Sequence, residues 1–122
     1  GIPVLGICVN ADKETQEGKV FTLAEKTAEF LGIPGSIKRE SVVANGDYVG
    51  PGYGFSTDGM IEAVQLLARE EAILLDPVYS GKGMAGLIDL VRKGKYRKDE
   101  NIVFLHTGGS AGLFAYRETF TA

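Results

Sequence analysis

Tryptophan is absent from this 122-residue sequence, and cysteine and histidine occur once each, as Cys8 and His106. A single cysteine excludes an intramolecular disulfide, which suits a reducing compartment. With one histidine beside it, a typical zinc site is also excluded, so no metal is expected. No apolar run approaches the roughly 18 residues of a membrane helix, so no membrane partner is expected. Positive charge is not in excess: 13 Lys and Arg against 16 Asp and Glu give a net charge of -3. That distribution lacks the basic stripe of a nucleic-acid binder. The densest basic cluster, Arg92-Lys93 with Lys95 and Arg97-Lys98, runs straight into Asp99-Glu100 and reads as a solvated helix end and loop. The opening Gly1-Ile2-Pro3 has neither Met nor a charged signal-peptide front, so a cytoplasmic setting is expected, and its abruptness fits a fragment.

What is present is ordinary for a globular domain: 44% hydrophobic and 24% charged residues, at a length that can bury a sizeable core. The apolar run 4–9 has strand length and is closed by Asn10-Ala11-Asp12. Residues 22–31 place Leu23, Ala24, Thr27, Phe30 and Leu31 at helical spacing, and Gly32, Ile33 and Pro34 end that helix. From 35 to 53 there is no helical period; Ser41-Val42-Val43 reads as a short strand between turn signals. Ser56 or Thr57 caps a following helix, with Met60, Ile61, Val64, Leu67 and Ala68 as its buried stripe. Met84, Leu87, Ile88 and Val91 mark another, which Gly94 stops.

Two short runs, Ile73-Leu74-Leu75 and Ile102-Val103-Phe104-Leu105, are apolar throughout and predict buried parallel strands. Each leads through a turn, 76–81 and 106–110, into a helix. Alternating strands and helices predict an α/β fold with an open, mostly parallel sheet and flanking helices. Three or four strands leave an unprotected apolar edge, so further strands should come from missing chain or a partner. Ligands of such sheets sit beyond the carboxyl ends of the strands, which draws Tyr79, Ser80, His106 and Thr107 towards one crevice.

The stretch 107–112, Thr-Gly-Gly-Ser-Ala-Gly, follows a strand and opens a helix, a setting for a phosphate cradle, although its spacing fits neither common nucleotide fingerprint and a tight structural turn explains it equally. Tyr79 is either a packed ring with an exposed hydroxyl or a proton donor, base or nucleophile. Lys82, the one lysine of the Tyr79 loop, could form a Schiff base but reads rather as a solvated lysine at a helix start, and His106 as a structural histidine with no catalytic role. Gly83 and Gly86 signify either close helix packing or close approach of a ligand.

The motifs Leu75-Asp76-Pro77-Val78-Tyr79-Ser80-Gly81-Lys82, Met84-Ala85-Gly86-Leu87-Ile88-Asp89 and His106-Thr107-Gly108-Gly109, with Leu113-Phe114-Ala115-Tyr116 and Gly52-Tyr53-Gly54, carry a resemblance across most of the chain. The sequence resembles the D-cysteine desulfhydrase and 1-aminocyclopropane-1-carboxylate deaminase family of fold-type II pyridoxal 5′-phosphate enzymes. The resemblance implies that residues 1–122 are the C-terminal part of the cofactor-binding large domain, with the Schiff-base lysine in a segment outside them and the isolated piece inactive. It implies Tyr79 and Tyr53 as catalytic residues on the substrate side. It also implies Thr107, Ser80 and Gly108 at the cofactor, with Thr107 near the pyridine nitrogen. In the ring-opening deaminases a glutamate follows this tyrosine and the position of Thr107 is apolar; Ser80 and Thr107 instead look like the desulfhydrase branch. The expected activity of the complete enzyme is thus that of a lyase or deaminase converting D-cysteine to pyruvate, ammonia and sulfide. Ring-opening deamination is the alternative, and a non-catalytic phosphate-binding or sheet-pairing module is a further one. A small amino-acid substrate and a homodimer, or association with the missing part of the enzyme, are the expected partners.

Overall fold

In the computed structural model, which describes residues 2–121, strands and helices alternate as an α/β fold. Strand β1, Leu5–Ile7, pairs in parallel with β2, Val43–Asn45, Leu5 opposite Val43 and Ile7 opposite Asn45. The Cys8 amide donates to the Asn45 carbonyl at 2.8 Å and carries the ladder one residue further. Parallel strands need a crossover, and helix α1, Lys13–Phe30, supplies it.

Helix α1 starts well before the predicted 22–31, because its start is set by a cap and not by an apolar stripe. The Asp12 carboxylate accepts from the Thr15 amide at 2.9 Å and from the Thr15 hydroxyl at 2.8 Å, the usual work of an N-cap acid. One turn on, Glu17 is buried and docks the helix on β2: its carboxylate accepts from Lys13 at 2.7 Å, the Ala44 amide at 2.9 Å and Arg39 at 3.2 Å. The Lys13 bond first, and the Ala44 amide next, hold that carboxyl down at about 2.

Helices α2, Asp58–Glu71, and α3, Ser80–Arg92, follow the predicted periods. Thr57 caps α2 by accepting from the Met60 amide at 3.2 Å. Met60, Ala63, Val64, Leu75, Met84 and Ala85 form the buried core between them. Phe104, Leu113 and Phe120 pack on the same core, which fixes the last part of the chain beside α3. That part ends in a 3-10 helix, Ser110–Tyr116, and one turn of α4, Arg117–Phe120.

Two expectations are corrected here. The sheet has two strands, not three or four, among the described residues. Segments 73–75 and 102–105 run without a strand partner there, and of the predicted buried residues only Leu75 is fully enclosed: Ile73, Leu74, Ile102, Val103 and Leu105 are exposed. An all-apolar run reports that a segment is suited to burial, and the neighbour that would bury it is a separate fact. No helix among the described residues is long and apolar enough to cross a membrane.

In α3 packing accounts for Gly86 and Gly81, whereas a Cβ on Gly83 would make only ordinary contact with Phe104, at 3.5 Å. A Cβ on Gly86 would lie 2.9 Å from the Ile7 side chain and 3.1 Å from the Tyr48 ring, so this glycine lets α3 approach β1. A Cβ on Gly81 would lie 2.6 Å from the Asp76 carbonyl oxygen and 3.0 Å from both Met60 and Val64. Helix propensity alone would favour alanine by about 1 kcal/mol, whereas overpacking against a backbone atom costs about 3 kcal/mol. Gly81→Ala is therefore expected to destabilise the protein by about 2 kcal/mol, seen as a lower urea midpoint at unchanged slope; an unchanged midpoint would refute the contact.

Candidate functional site

Asp76 builds the turn that presents Tyr79. Its carboxylate is buried and accepts from three successive amides, Val78 at 2.8 Å, Tyr79 at 2.7 Å and Ser80 at 2.7 Å, as well as from the Ser80 hydroxyl at 2.6 Å. Its own amide donates back to that hydroxyl at 2.8 Å, and its carbonyl takes the Gly81 amide at 2.8 Å. The effect is a cap delivered from four residues ahead of α3, since Tyr79 at the N-cap position makes no side-chain cap bond. Burial by itself would raise the Asp76 carboxyl; the Ser80 hydroxyl and the three amides outweigh it and hold it below the ordinary aspartate value. Ser80 is thereby committed. Its hydroxyl gives its one proton to Asp76 and accepts from the Asp76 amide in a buried position, so it could donate to a cofactor only at the expense of the turn.

Tyr53 reaches the same place from a different loop. Its hydroxyl hydrogen-bonds the Tyr79 hydroxyl, and the two rings meet edge to face with centroids 5.8 Å apart. Each side chain is about half exposed, at 49% and 50%, so the paired oxygens border solvent. The Tyr79 bond first, and partial desolvation next, raise the Tyr53 phenol above its ordinary value. Either hydroxyl can donate in this pair.

Lys82 is not solvated, contrary to the sequence expectation. It is fully buried, and its ammonium donates to the Val49 carbonyl at 2.6 Å and the Gly52 carbonyl at 2.9 Å. Lysine is rarely enclosed without a partner; here two backbone carbonyls of the Tyr53 loop replace water. The same loop meets α3 again through the Tyr48 hydroxyl, which donates to Asp89 at 2.6 Å, and burial first, then that carboxylate, push the Tyr48 phenol up to about 12. Tyr116, from the 3-10 helix, donates to the Gly54 carbonyl at 2.9 Å. Lys82 and Tyr116 escaped sequence reasoning as loop anchors. The only available signal was that a lysine set among small residues at the start of an apolar helix has little room to leave it.

The third loop is joined to the Tyr79 turn in two places. His106 accepts from the Gly108 amide at 3.1 Å through Nδ1, which leaves Nε2–H to donate to the Leu74 carbonyl at 3.0 Å; the lone histidine is structural. Gly109, at φ 89°, lies so close to Asp76 that an added Cβ would sit 3.0 Å from its carboxylate. Thr107 and Gly108 are exposed on this loop, and a Cβ on Gly108, at φ 98°, would meet only open space. These features fit one edge of pyridoxal phosphate: a hydroxyl suited to a pyridine nitrogen, on a loop that leaves room beside it. A phosphate cradle fits less well, because Gly109 opens a 3-10 helix of seven residues and not a long helix. The structure thus brings Tyr53 and Tyr79 into contact, stitches the Thr107–Gly108 loop to the turn below them, and turns Ser80 inward.

A family model described as pyridoxal-phosphate dependent enzyme matches residues 2–108. The chain is 40% identical over 117 residues to a 1-aminocyclopropane-1-carboxylate deaminase of Burkholderia vietnamiensis, covering 96% of this chain and 35% of that protein. It is 39% identical over the same length to one from Pseudomonas syringae pv. syringae, again 35% of the relative. A solved structure described as an ACC deaminase homologue superposes with a TM-score of 0.80 at 35% identity, over 95% of this chain and 34% of that one. The chain therefore spans about a third of the length of the relatives it matches, as a partial domain of their fold. With the matched region reaching from the first strand to the Thr107 loop, the chain belongs to the family of pyridoxal-phosphate dependent enzymes.

Proposed function

We propose that this chain serves deamination of 1-aminocyclopropane-1-carboxylate as the C-terminal part of the cofactor-binding domain of a longer polypeptide, whose covalent lysine lies outside these residues. The observation that carries the reading is the contact between the Tyr53 and Tyr79 hydroxyls at the open edge of the site; the names of relatives 40% identical to this chain give it its substrate. Pyridoxal phosphate, when bound, supplies a sink for the electron pair left at the substrate α-carbon. Thr107 would hold the ring nitrogen through its hydroxyl, without forcing a full positive charge on it, and Gly108 would leave the loop room to lie against the ring. Tyr79 offers an oxygen that attacks or takes a proton at the strained carbons, and Tyr53, donating to that oxygen, stabilises negative charge as it forms there. The net reaction adds one water and releases 2-oxobutanoate and ammonia.

Ser80 favours a second reading. Where the ring-opening enzymes of the family it resembles carry a glutamate, this chain has a serine turned to Asp76, which leaves Thr107 as the ring-nitrogen partner. That pairing supports β-elimination from D-cysteine, giving pyruvate, ammonia and sulfide. Ser80 and Thr107 taken alone put this reading first, and the relatives' names reverse the order. A homodimer, a small amino-acid substrate and a cytoplasmic setting belong to the same proposal; the free, buried Cys8 supports reducing surroundings.

The test is to assay the complete polypeptide with both substrates. The expected result is 2-oxobutanoate from the cyclopropane amino acid at a kcat/KM at least tenfold above that for sulfide release from D-cysteine. The opposite ratio would transfer the assignment to the second reading. Turnover of neither, with no cofactor absorbance, would favour a non-catalytic module.

A further inference from the structure

We infer that Lys82 is a positioning residue that sets the Tyr53 hydroxyl against Tyr79, by holding the carbonyl of the peptide bond that leads into Tyr53. This rests on the reading that the two phenols serve the chemistry. The bond from the Lys82 ammonium to the Gly52 carbonyl, 2.9 Å, falls on the peptide unit shared by Gly52 and Tyr53, and the bond to Val49, 2.6 Å, falls on the other side of Pro51. The segment so held is Val49-Gly50-Pro51-Gly52-Tyr53-Gly54, in which Gly50 at φ 69° and Gly54 at φ 78° adopt left-handed backbone. Three glycines in six residues make a loop with little stiffness of its own, so Tyr53 takes its place from what grips the loop.

Lys82 is fitted to that task by its position in α3, three residues after Tyr79. The element whose start presents Tyr79 also sends out the side chain that fixes the backbone of Tyr53, so both phenols are referenced to one rigid body. Burial lowers the affinity of this ammonium for its proton, and no carboxylate among the described residues offsets it. A residue serving packing alone would be better as methionine, which fills a similar volume without a charge to desolvate. The charge is retained where its hydrogen-bond acceptors, among the described residues, are the Val49 and Gly52 carbonyls of the Tyr53 loop. Tyr116 on Gly54 and Tyr48 on Asp89 anchor the same loop, but neither touches the Gly52–Tyr53 peptide bond.

The experiment compares Lys82→Met with Tyr48→Phe in the complete protein, following the tyrosine ring carbons by NMR across a pH titration, with Tyr53 assigned from Tyr53→Phe. In Lys82→Met, Tyr53 is expected to titrate nearer the ordinary phenol value of about 10, and kcat to fall about 30-fold with KM within threefold. Tyr48→Phe, which removes an anchor elsewhere on the loop, is expected to leave the Tyr53 titration in place. A folded Lys82→Met with the wild-type Tyr53 titration would overturn the inference, as would an equal change in Tyr48→Phe. Should Lys82→Met fail to fold, Tyr116→Phe decides: with Lys82 in place Tyr53 should keep most of its raised titration, and its full return to the ordinary value would overturn the inference by shifting the role to Tyr116. The titration is read without substrate, so a protein that proves inactive on both amino acids still answers the question about Lys82.

Discussion

Tyr79→Phe is expected to lower kcat by about 100- to 10,000-fold, the range for removing a positioned acid or base, with KM changed by less than about fivefold. The split follows from the geometry. The variant keeps the ring, and with it the edge-to-face contact with Tyr53, so binding surface is preserved. What disappears is the oxygen paired with the Tyr53 hydroxyl, the one atom of that side chain able to form or break a bond. Because the hydroxyl belongs to a half-exposed side chain, the unfolding free energy should move by less than about 0.5 kcal/mol. Tyr53→Phe should cost less activity, since it removes the supporting donor and leaves the acting oxygen. The double variant should fall short of the product of the two losses, as groups acting as a unit do. Steady-state kinetics on the four proteins checks all of this, and a Tyr79→Phe enzyme within threefold of wild-type kcat would remove the phenol from the chemistry.

Asp76→Ala has the largest expected effect on stability, a loss of about 3–4 kcal/mol, because each buried donor left without a partner costs about 1–3 kcal/mol. The Ser80 amide and hydroxyl are the enclosed donors, while water can reach the part-buried Val78 and Tyr79 amides. Asp76→Asn should lose roughly half as much, since one oxygen still accepts while an NH2 group faces donors. The two variants also differ from wild type in their response to acid. The Asp76 carboxyl is depressed in the folded protein. Its contribution is therefore complete above the unfolded value of about 3.9 and is lost as the pH falls through the lower folded value. Urea unfolding at pH 6 and pH 3 should show the gap between wild type and Asp76→Asn narrowing at the lower pH. A constant gap would mean that the charge on Asp76 contributes nothing.

The sequence was most legible where a residue's neighbours are also its neighbours in the chain. The stripes of α2 and α3, the Thr57 cap and the stop at Gly94, which has φ 69°, all depend on contacts within a few positions. The first turns of α1 escaped because they carry no apolar stripe: their start is the local Asp12–Thr15 cap, and the residue that docks them, Glu17, has partners Arg39 and Ala44 lying 22 and 27 residues away. Segments 73–75 and 102–105 were misread because an apolar run carries no information about which strand lies beside it. Lys82 was misread for the same reason in reverse: nothing in its own surroundings announces the carbonyls of Val49 and Gly52, 33 and 30 residues earlier. The tyrosine pair was visible only through the family resemblance. The inward turn of Ser80, by contrast, could have been found from spacing, since Asp76 stands four residues before it at the head of a helix.

The closeness of Gly109 to Asp76 ties two distant stretches of the chain into one heritable unit. A side chain at 109 would meet the Asp76 carboxylate, and a shortened residue at 76 would leave the Tyr79 turn without its cap. A change at 109 is therefore felt at the start of α3, where Asp76 caps the Tyr79 turn. Exposed positions of these loops, such as Thr107, are free of that constraint, whereas Ser80 shares it through its bonds to Asp76.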